Sequence, residues 1–471
     1  MKKTIYIAIE IKVREFLSNI LLSFFAAKKN YRIIFGSKNQ IINYLTKKKT
    51  KGGIFLYKAG IHKKYISTLN KKIDLHATID QEIGPGLSDK FYSKLIPQSF
   101  HRETAKDIDL YFCLNAQLFK IAKKTLGNKV GKIVNTGWPR FEIFKSQHSK
   151  LFSDKVKQIK KKYDNFYLFN SDFFFISKYY KEQVLHYAPW SIEENKQKRE
   201  LNKRLVLEEA SRRFKEFSNV QNFLKDVSEK FKIKIVIRPH PGESIKVWKK
   251  IFKNYKNIFI EPPLDDVHPW IMACKGLLHR GCTTSYQSAL INKPTAYLTI
   301  GTKKEIKDFH LNDWHFKKAV FDFSTKINNS KDLINWIKNT NKTSKKNLKK
   351  IYKDTGYDKN SPSALILKCF KNTKIKINKE PTPTKMYEDS SKIKFYYYFL
   401  RHLFLSKLFI YFTKLGLLSK NIEKYDMAPK IFEGIKAKEV NFFLQILNKN
   451  SKSPKKNVKA YQLNQDLVVI E

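Results

Sequence analysis

The chain has 471 residues, with 93 Lys and Arg against 42 Asp and Glu, a net charge of +51, 42% hydrophobic residues and four Cys. That length predicts two or three domains with substantial cores, and the apolar content excludes a disordered chain. With 16 Gly and 15 Pro, collagen-like and low-complexity classes are excluded as well.

Short β-branched and aromatic runs alternate with longer amphipathic ones, the pattern of a parallel sheet wound with helices. TIYIAIEI reads as strand, REFLSNILLSFFAAKK as helix and YRIIFGS as strand; GIFLYK, DLHATID, LYFCLNA and KIVNTG complete six strand-like runs. They predict one doubly wound domain over residues 1–150. A second series, NFYLFNS, KIKIVIRPH, NIFIE, GLLH and TAYLTI, predicts another over 151–370, with a helical insertion at about 172–230. The expected fold class is α/β: two Rossmann-like doubly wound domains facing a cleft, with ligands at the carboxyl ends of the strands. Residues 371–471 read as a basic helical C-terminal extension. Within it, 395–418 is aromatic and basic; on a helix, Lys394, Arg401, Lys407 and Lys414 share one face, which suits either an anionic membrane surface or packing onto the domains.

The positive charge first suggests nucleic acid, which requires a concentrated patch rich in Arg. The last 101 residues carry 20 basic and 9 acidic side chains, no denser than the chain average, and only 11 of the 93 basic residues are Arg. The charge is compositional, and nucleic acid is not the expected partner. The four Cys form no CxxC pair, so neither a disulfide framework nor a zinc site is expected. Charges at Glu10, Lys12, Arg14 and Glu15 interrupt the opening apolar run too early for a secretory signal, and no apolar stretch is long enough to span a bilayer. The expectation is a cytoplasmic protein, peripheral to a membrane at most.

Chemistry concentrates in three segments. KIVIRPHPGES delivers Arg238 and His240 to a strand end that Pro239, Pro241 and Gly242 prevent from running on, so two cationic donors face a ligand phosphate. GLLHRGCTTSYQSALINKP follows a strand with a tight turn at Gly281 and a hydroxyl-fringed helix start at Thr283, Thr284 and Ser285; a helix start favours anions, and His279, Ser285 and Ser288 can face a diphosphate. HATIDQEIGPGL places Asp80 and Glu82 at a strand end, where a carboxylate can take a proton from an acceptor hydroxyl. Plain turn and capping roles are the competing explanation for each segment. TGWPRFE sets Arg140 at the end of the first domain, as a substrate contact or, preferably, a structural lock. Asp265 and Asp266 precede a helix, so capping explains them better than metal binding. No GxxxxGK[ST] loop or GxSxG elbow is present.

DQEIG, TGWPRFE, RPHPGE and HRGCTTSYQSALINKP, in that order, resemble bacterial surface carbohydrate biosynthesis proteins, and IEIKVREF, with Glu10, Arg14 and Glu15, matches the group's opening strand and helix. These proteins are similar to GT-B glycosyltransferases of capsule and lipopolysaccharide assembly, including CMP-sugar-dependent Kdo and sialic acid transferases, and more distantly to CDP-glycerol glycerophosphotransferases. The resemblance implies an acceptor-binding first domain and a second domain that binds a nucleotide sugar. It implies no metal and no cofactor beyond that donor, and a glycan or lipid-linked glycan acceptor. His240 and Pro241 correspond to a His-Pro motif on the donor, and Thr284 and Ser285 to a phosphate-holding helix start. Asp80 to Gly84 correspond to an acidic motif that supplies the base, with Glu82 preferred over Asp80. Alternatives are a UDP-N-acetylglucosamine 2-epimerase-like enzyme, a CDP-glycerol or CDP-ribitol phosphotransferase, and a non-catalytic basic scaffold.

Overall fold

The structure, a computed structural model, describes residues 2–47, 51–58, 60–61, 63–79, 84–99, 104–173, 196–241, 243–300, 320, 322–339, 345–357, 360–373, 434–451, 457–464 and 466–471. It divides into two units: one of Met1–Ile83, Asp89–Leu151 and Lys353–Glu471, the other of Gly84–Ser88 and Phe152–Tyr352.

All six strands expected in the first unit form: β1 (Lys3–Ile9), β2 (Tyr31–Ser37), β3 (Ile54–Tyr57), β4 (Leu75–Ile79), β5 (Leu110–Cys113) and β6 (Lys132–Asn135). The helices between them are α1 (Lys12–Lys28), α2 (Lys38–Lys47), α3 (Lys63–Asn70), α4 (Asp89–Ser99) and α5 (Ala116–Leu126). Every residue of β1 after Lys3 is buried, as a strand covered on both faces requires, whereas β6 is half-exposed at the sheet edge. The parallel order is β2-β1-β3-β4-β5-β6, which reverses direction between β1 and β3.

Two features correct the expected domain limits. After the short helix α6 (Pro139–Glu142) the chain leaves for the second unit and returns earlier than residue 370, at Lys353. The return is pinned by backbone approach: Gly356 (φ +60°) lies so close to Leu114 that a Cβ would sit 1.9 Å from its carbonyl oxygen. The C-terminal part is also not purely helical. Its last residues form β13 (Ala460–Asn464) and β14 (Leu467–Ile470), and β14 pairs antiparallel with β2, extending the sheet to eight strands. The four residues of β14 are all buried.

The second unit begins with α7 (Ser153–Tyr163), and its strands are β7 (Tyr167–Asn170), β8 (Ile235–Arg238), β9 (Ile258–Ile260), β10 (Gly276–His279), β11 (Thr295–Leu298) and β12 (Thr325–Ile327). The expected insertion is represented by α8 (Lys196–Lys230), and shorter helices α9 (Ile245–Ile251), α10 (His268–Ala273), α11 (Thr284–Leu290) and α12 (Ser330–Lys338) cover the sheet. Phe169, Val220, Leu224, Val227, Ile235, Trp248 and Leu278 share one buried cluster, which fixes the C-terminal half of α8 and α9 against the sheet. All neighbours are parallel, in the order β9-β8-β7-β10-β11-β12. Renumbered within the unit this is 3-2-1-4-5-6, the Rossmann order, with its reversal between β7 and β10. Helix α13 (Lys345–Thr355) begins in the second unit and contains the return at Lys353, and α14 (Pro362–Lys371) and α15 (Ala437–Lys449) follow in the first unit. No helix among the described residues is long and apolar enough to cross a membrane. Residues 395–418, with the four basic positions expected to face a membrane, lie outside the described residues.

Candidate functional site in the second unit

In an open parallel sheet the crevice for a ligand opens where the strand order reverses, at the carboxyl ends of the strands. In the second unit those ends carry Ser171 and Asp172 after β7, the Arg238–Glu243 turn after β8 and the His279–Thr284 turn after β10. Both predicted phosphate segments therefore share one end of one sheet.

Their side chains divide into those that are accessible and those consumed by the fold. His240 is exposed, and its loop is held by the backbone: the His240 N–H donates to Ser171 Oγ (3.2 Å) and its carbonyl accepts from Glu243 N–H (2.8 Å). Pro241 is half-buried, and Gly242 lies outside the described residues. Gly281 has φ +103°, the left-handed conformation expected of the tight turn, and a Cβ there would lie 3.3 Å from the Tyr297 ring. Thr283 and Thr284 are half-buried at the start of α11, with the Thr284 hydroxyl against Cys282 Sγ.

Four of the predicted phosphate contacts are corrected. Arg238 is buried, and one terminal nitrogen donates to the Asp265 carbonyl (2.7 Å) and carboxylate (2.9 Å) while the other reaches the Asp266 carbonyl (3.3 Å). Its guanidinium also lies 4.9 Å from the Trp270 ring, so this cation locks the start of α10 rather than facing a ligand. His279 is fully buried: Nδ1 accepts from Gly281 N–H (3.0 Å), and Nε2 lies 2.9 Å from Ser324 Oγ. Burial pushes this imidazole down to about 3, so it stays neutral and shapes the turn. Ser285 Oγ donates to the Cys282 carbonyl (2.7 Å), closing the same turn, and Ser288 is buried within α11. Asp266 stands one residue before the N-cap Val267 of α10 and accepts from His268 N–H (2.8 Å).

Two buried groups escaped the sequence reading. Arg280 is the only fully buried Arg among the largest buried side chains; it donates to the Leu298 carbonyl (3.0 Å) and to Glu216 on α8, and lies 5.6 Å from the Phe173 ring. Glu216 also accepts from Arg212, with Arg213 at 3.7 Å. Glu243 accepts from Ser171 Oγ (2.6 Å), Phe173 N–H (2.7 Å) and Trp248 Nε1–H (2.8 Å). Burial drives its carboxyl up to about 7 against the stabilising effect of these donors. The one available signal was that each sits beside a motif residue, Arg280 after His279 and Glu243 at the end of RPHPGE.

The first unit has its own reversal, between β1 and β3, and Glu10, Glu15 and Lys58 gather there. Lys58 lies 3.2 Å from Glu10 and 3.5 Å from Glu15, and Lys38 lies 2.8 Å from Glu10. Burial opposes ionisation of Glu10, but Lys58 and Lys38 hold it at about 2. Glu15 caps α1, accepting from Ile11 N–H (2.9 Å), while Arg14 is half-buried nearby. Arg140 is buried, and Glu142, two residues on, holds the start of α14, accepting from Ser363 N–H (2.9 Å) and Ser363 Oγ (2.6 Å). Asp80 and Glu82 lie outside the described residues. Among the described residues, no group of three or more His, Cys, Asp or Glu is placed to hold a metal ion.

No family model matches the chain, and no curated protein does. Among solved structures it is similar to the wall teichoic acid polymerase TagF, at 12% identity over 78% of this chain and 88% of that one, with a TM-score of 0.46. It is also similar to UDP-GlcNAc 2-epimerase from Methanocaldococcus jannaschii, at 12% identity over 79% of this chain and 100% of that one, with a TM-score of 0.48. S. aureus MnaA with UDP gives 13% identity, 79% and 96% coverage and a TM-score of 0.45. With identities this low and TM-scores below 0.5, these likenesses decide nothing about the reaction.

Proposed function

We propose that the chain is a GT-B-type glycosyltransferase of bacterial surface-glycan assembly, moving a sugar from a nucleotide, CMP in the first instance, onto a glycan or lipid-linked glycan. The observation that carries this is the Rossmann-ordered sheet of the second unit, with exposed His240 and the Gly281–Thr284 turn at the strand ends beside its reversal. His240 donates to the donor's phosphate, and the start of α11 adds N–H groups and hydroxyls to the same anion. Both stabilise charge as it develops on the departing phosphate. Glu82, or Asp80 in its place, takes the proton of the attacking acceptor hydroxyl. The resemblance of DQEIG to the acidic motif supports that role.

The test is thermal stabilisation by CMP, CDP and UDP. A ligand bound to the native state at 100 times its Kd adds about 2.7 kcal/mol, and the effect is expected to vanish in His240→Ala. No stabilisation by any of the three refutes the nucleotide donor. Product analysis separates the chemistries: free epimerised sugar marks an epimerase, and phosphate carried into the product marks a phosphotransferase. Full cellular function in Glu82→Gln and His240→Ala marks a non-catalytic scaffold. Peripheral attachment at the cytoplasmic face through residues 395–418 belongs to the same proposal, and partition onto anionic vesicles with and without that segment tests it.

A further inference from the structure

Glu243 is an acceptor on which three donors converge. Ser171 Oγ and Trp248 Nε1 meet Oε2, and the Phe173 N–H meets Oε1. The Ser171 hydroxyl spends its hydrogen on the carboxylate and its lone pair on the His240 N–H. A continuous path therefore runs from the buried carboxylate through Ser171 to the backbone of the one exposed side chain in the His-Pro turn. Ser171 also accounts for the loop after β7, since Phe173, two residues on, is tied to the same carboxylate.

An ionised carboxylate accepts all three hydrogen bonds at once. A protonated one must point its own hydrogen at one of three donors. The Trp248 and Phe173 N–H groups are fixed and cannot reverse; only the Ser171 hydroxyl can turn, and in turning it leaves its own hydrogen without this acceptor. The charged neighbours act in a consistent direction. Asp172, from the loop after β7, adds repulsion to burial, and it is itself held 3.6 Å from Arg213 of α8. From α9 the contact is the neutral Trp248, and the turn's own titratable group is His240.

We propose that Glu243 is the positioning residue of the His240 loop, holding it through Ser171 in its ligand-ready form when ionised and loosening it when protonated, so that pH sets the grip on a phosphate-bearing ligand. The ligand half of this rests on the nucleotide-donor proposal above; the loop half does not. Burial places the change within the physiological range, at about 7.

The experiment follows the backbone ¹⁵N–¹H shifts of Phe173 and His240 in the full chain from pH 5.5 to 8.5. In the wild type both amides are expected to share a midpoint near 7. In Glu243→Gln that common midpoint disappears. Ser171→Ala is the milder variant: Phe173 keeps its titration at higher pH, because one donor to the carboxylate is gone, while His240 stops following it. A Phe173 amide that does not titrate, or a His240 response unchanged in Ser171→Ala, overturns the proposal. The second arm measures CDP affinity at pH 6 and pH 8. The wild type is expected to gain about fivefold more than Ser171→Ala on going to pH 8, the worth of one hydrogen bond. Equal ratios overturn the control of grip by pH. A wild type whose amides titrate together but which binds none of CMP, CDP or UDP overturns the donor proposal and the grip with it, and leaves the coupled loop standing.

Discussion

Glu216→Ala removes the acceptor from the most deeply buried cation in the second unit. The Arg280 side chain is 0% exposed and the Glu216 side chain 1%. Without Glu216 the guanidinium keeps only the Leu298 carbonyl and the face of Phe173. An Arg cannot relieve the strain by losing its proton, so the charge stays buried and uncompensated. Breaking a buried pair in this way costs about 3–5 kcal/mol. At a urea slope of about 2–3 kcal/mol per M, the unfolding midpoint falls by about 1.5 M. Tryptophan fluorescence reads this selectively, because all six Trp but Trp138 fall between residues 152 and 352. Removing both charges with Glu216→Leu and Arg280→Met leaves an apolar contact in their place, and most of the loss is expected to return, since apolar replacements of buried pairs are often neutral or better. Arg212, which is only partly buried, can turn to solvent, and Arg213 keeps Asp172. A midpoint unchanged in Glu216→Ala, or a double variant as unstable as the sum of the two single ones, refutes this reasoning.

The same unit should show a compensated pH profile. His279, held down to about 3 by burial, binds fewer protons folded than unfolded, so its stability is present above about pH 6.5 and is lost as pH falls. Glu243, raised to about 7, binds more protons folded, so its contribution is lost as pH rises from 4.5 to 7. Between pH 4.5 and 6.5 the two slopes oppose: His279→Gln is expected to make stability fall with rising pH, and Glu243→Gln to make it rise, each by about 1.4 kcal/mol per unit, read from urea midpoints across that range. Identical slopes in the two variants contradict the assignment. Gly281→Ala forces a side chain into φ +103° beside Tyr297 and is expected to cost about 1–3 kcal/mol and to abolish nucleotide stabilisation. Gly356→Ala is expected to be more severe, because the added Cβ meets the Leu114 carbonyl as well as a left-handed backbone; free migration of residues 353–371 onto a new proteolytic fragment reports the lost anchorage.

Eleven of the fourteen strands among the described residues were legible because they are short runs of apolar, mostly β-branched and aromatic residues bounded by turn residues. The three that were missed were too short, too mixed in pattern, or dependent on a remote partner. TKI in β12 is three residues long, AYQLN in β13 mixes polar and apolar residues and pairs only with β14, and LVVI in β14 becomes a strand through an antiparallel partner more than 400 residues away, at β2. The early return at Lys353 was hidden because it is fixed by Gly356, which acts by having no side chain. In the candidate site, the sheet end and the two turns were legible from Pro and Gly punctuation, whereas the direction of each polar side chain was not. Arg238, His279 and Ser285 sit where expected and turn inward, because Asp265, Ser324 and the Cys282 carbonyl wait there, and the first two of these partners are far away in sequence.

The misreading of Arg238 follows from a general division of labour between the two cations of this chain. Among the described residues four Arg are buried: Arg140, Arg213, Arg238 and Arg280. Of the far more numerous Lys, Lys58 alone is buried among the described residues, and it stands between two carboxylates. A guanidinium is weakly hydrated and presents a rigid fork, so it enters a protein interior at lower cost than an ammonium and satisfies several acceptors there. In a chain whose surface charge is carried by Lys, a rare Arg therefore marks an internal joint more often than a ligand contact. With Arg238 turned inward, exposed His240 is the better candidate for a phosphate, and the determinant of its position lies one layer down, in Ser171 and Glu243.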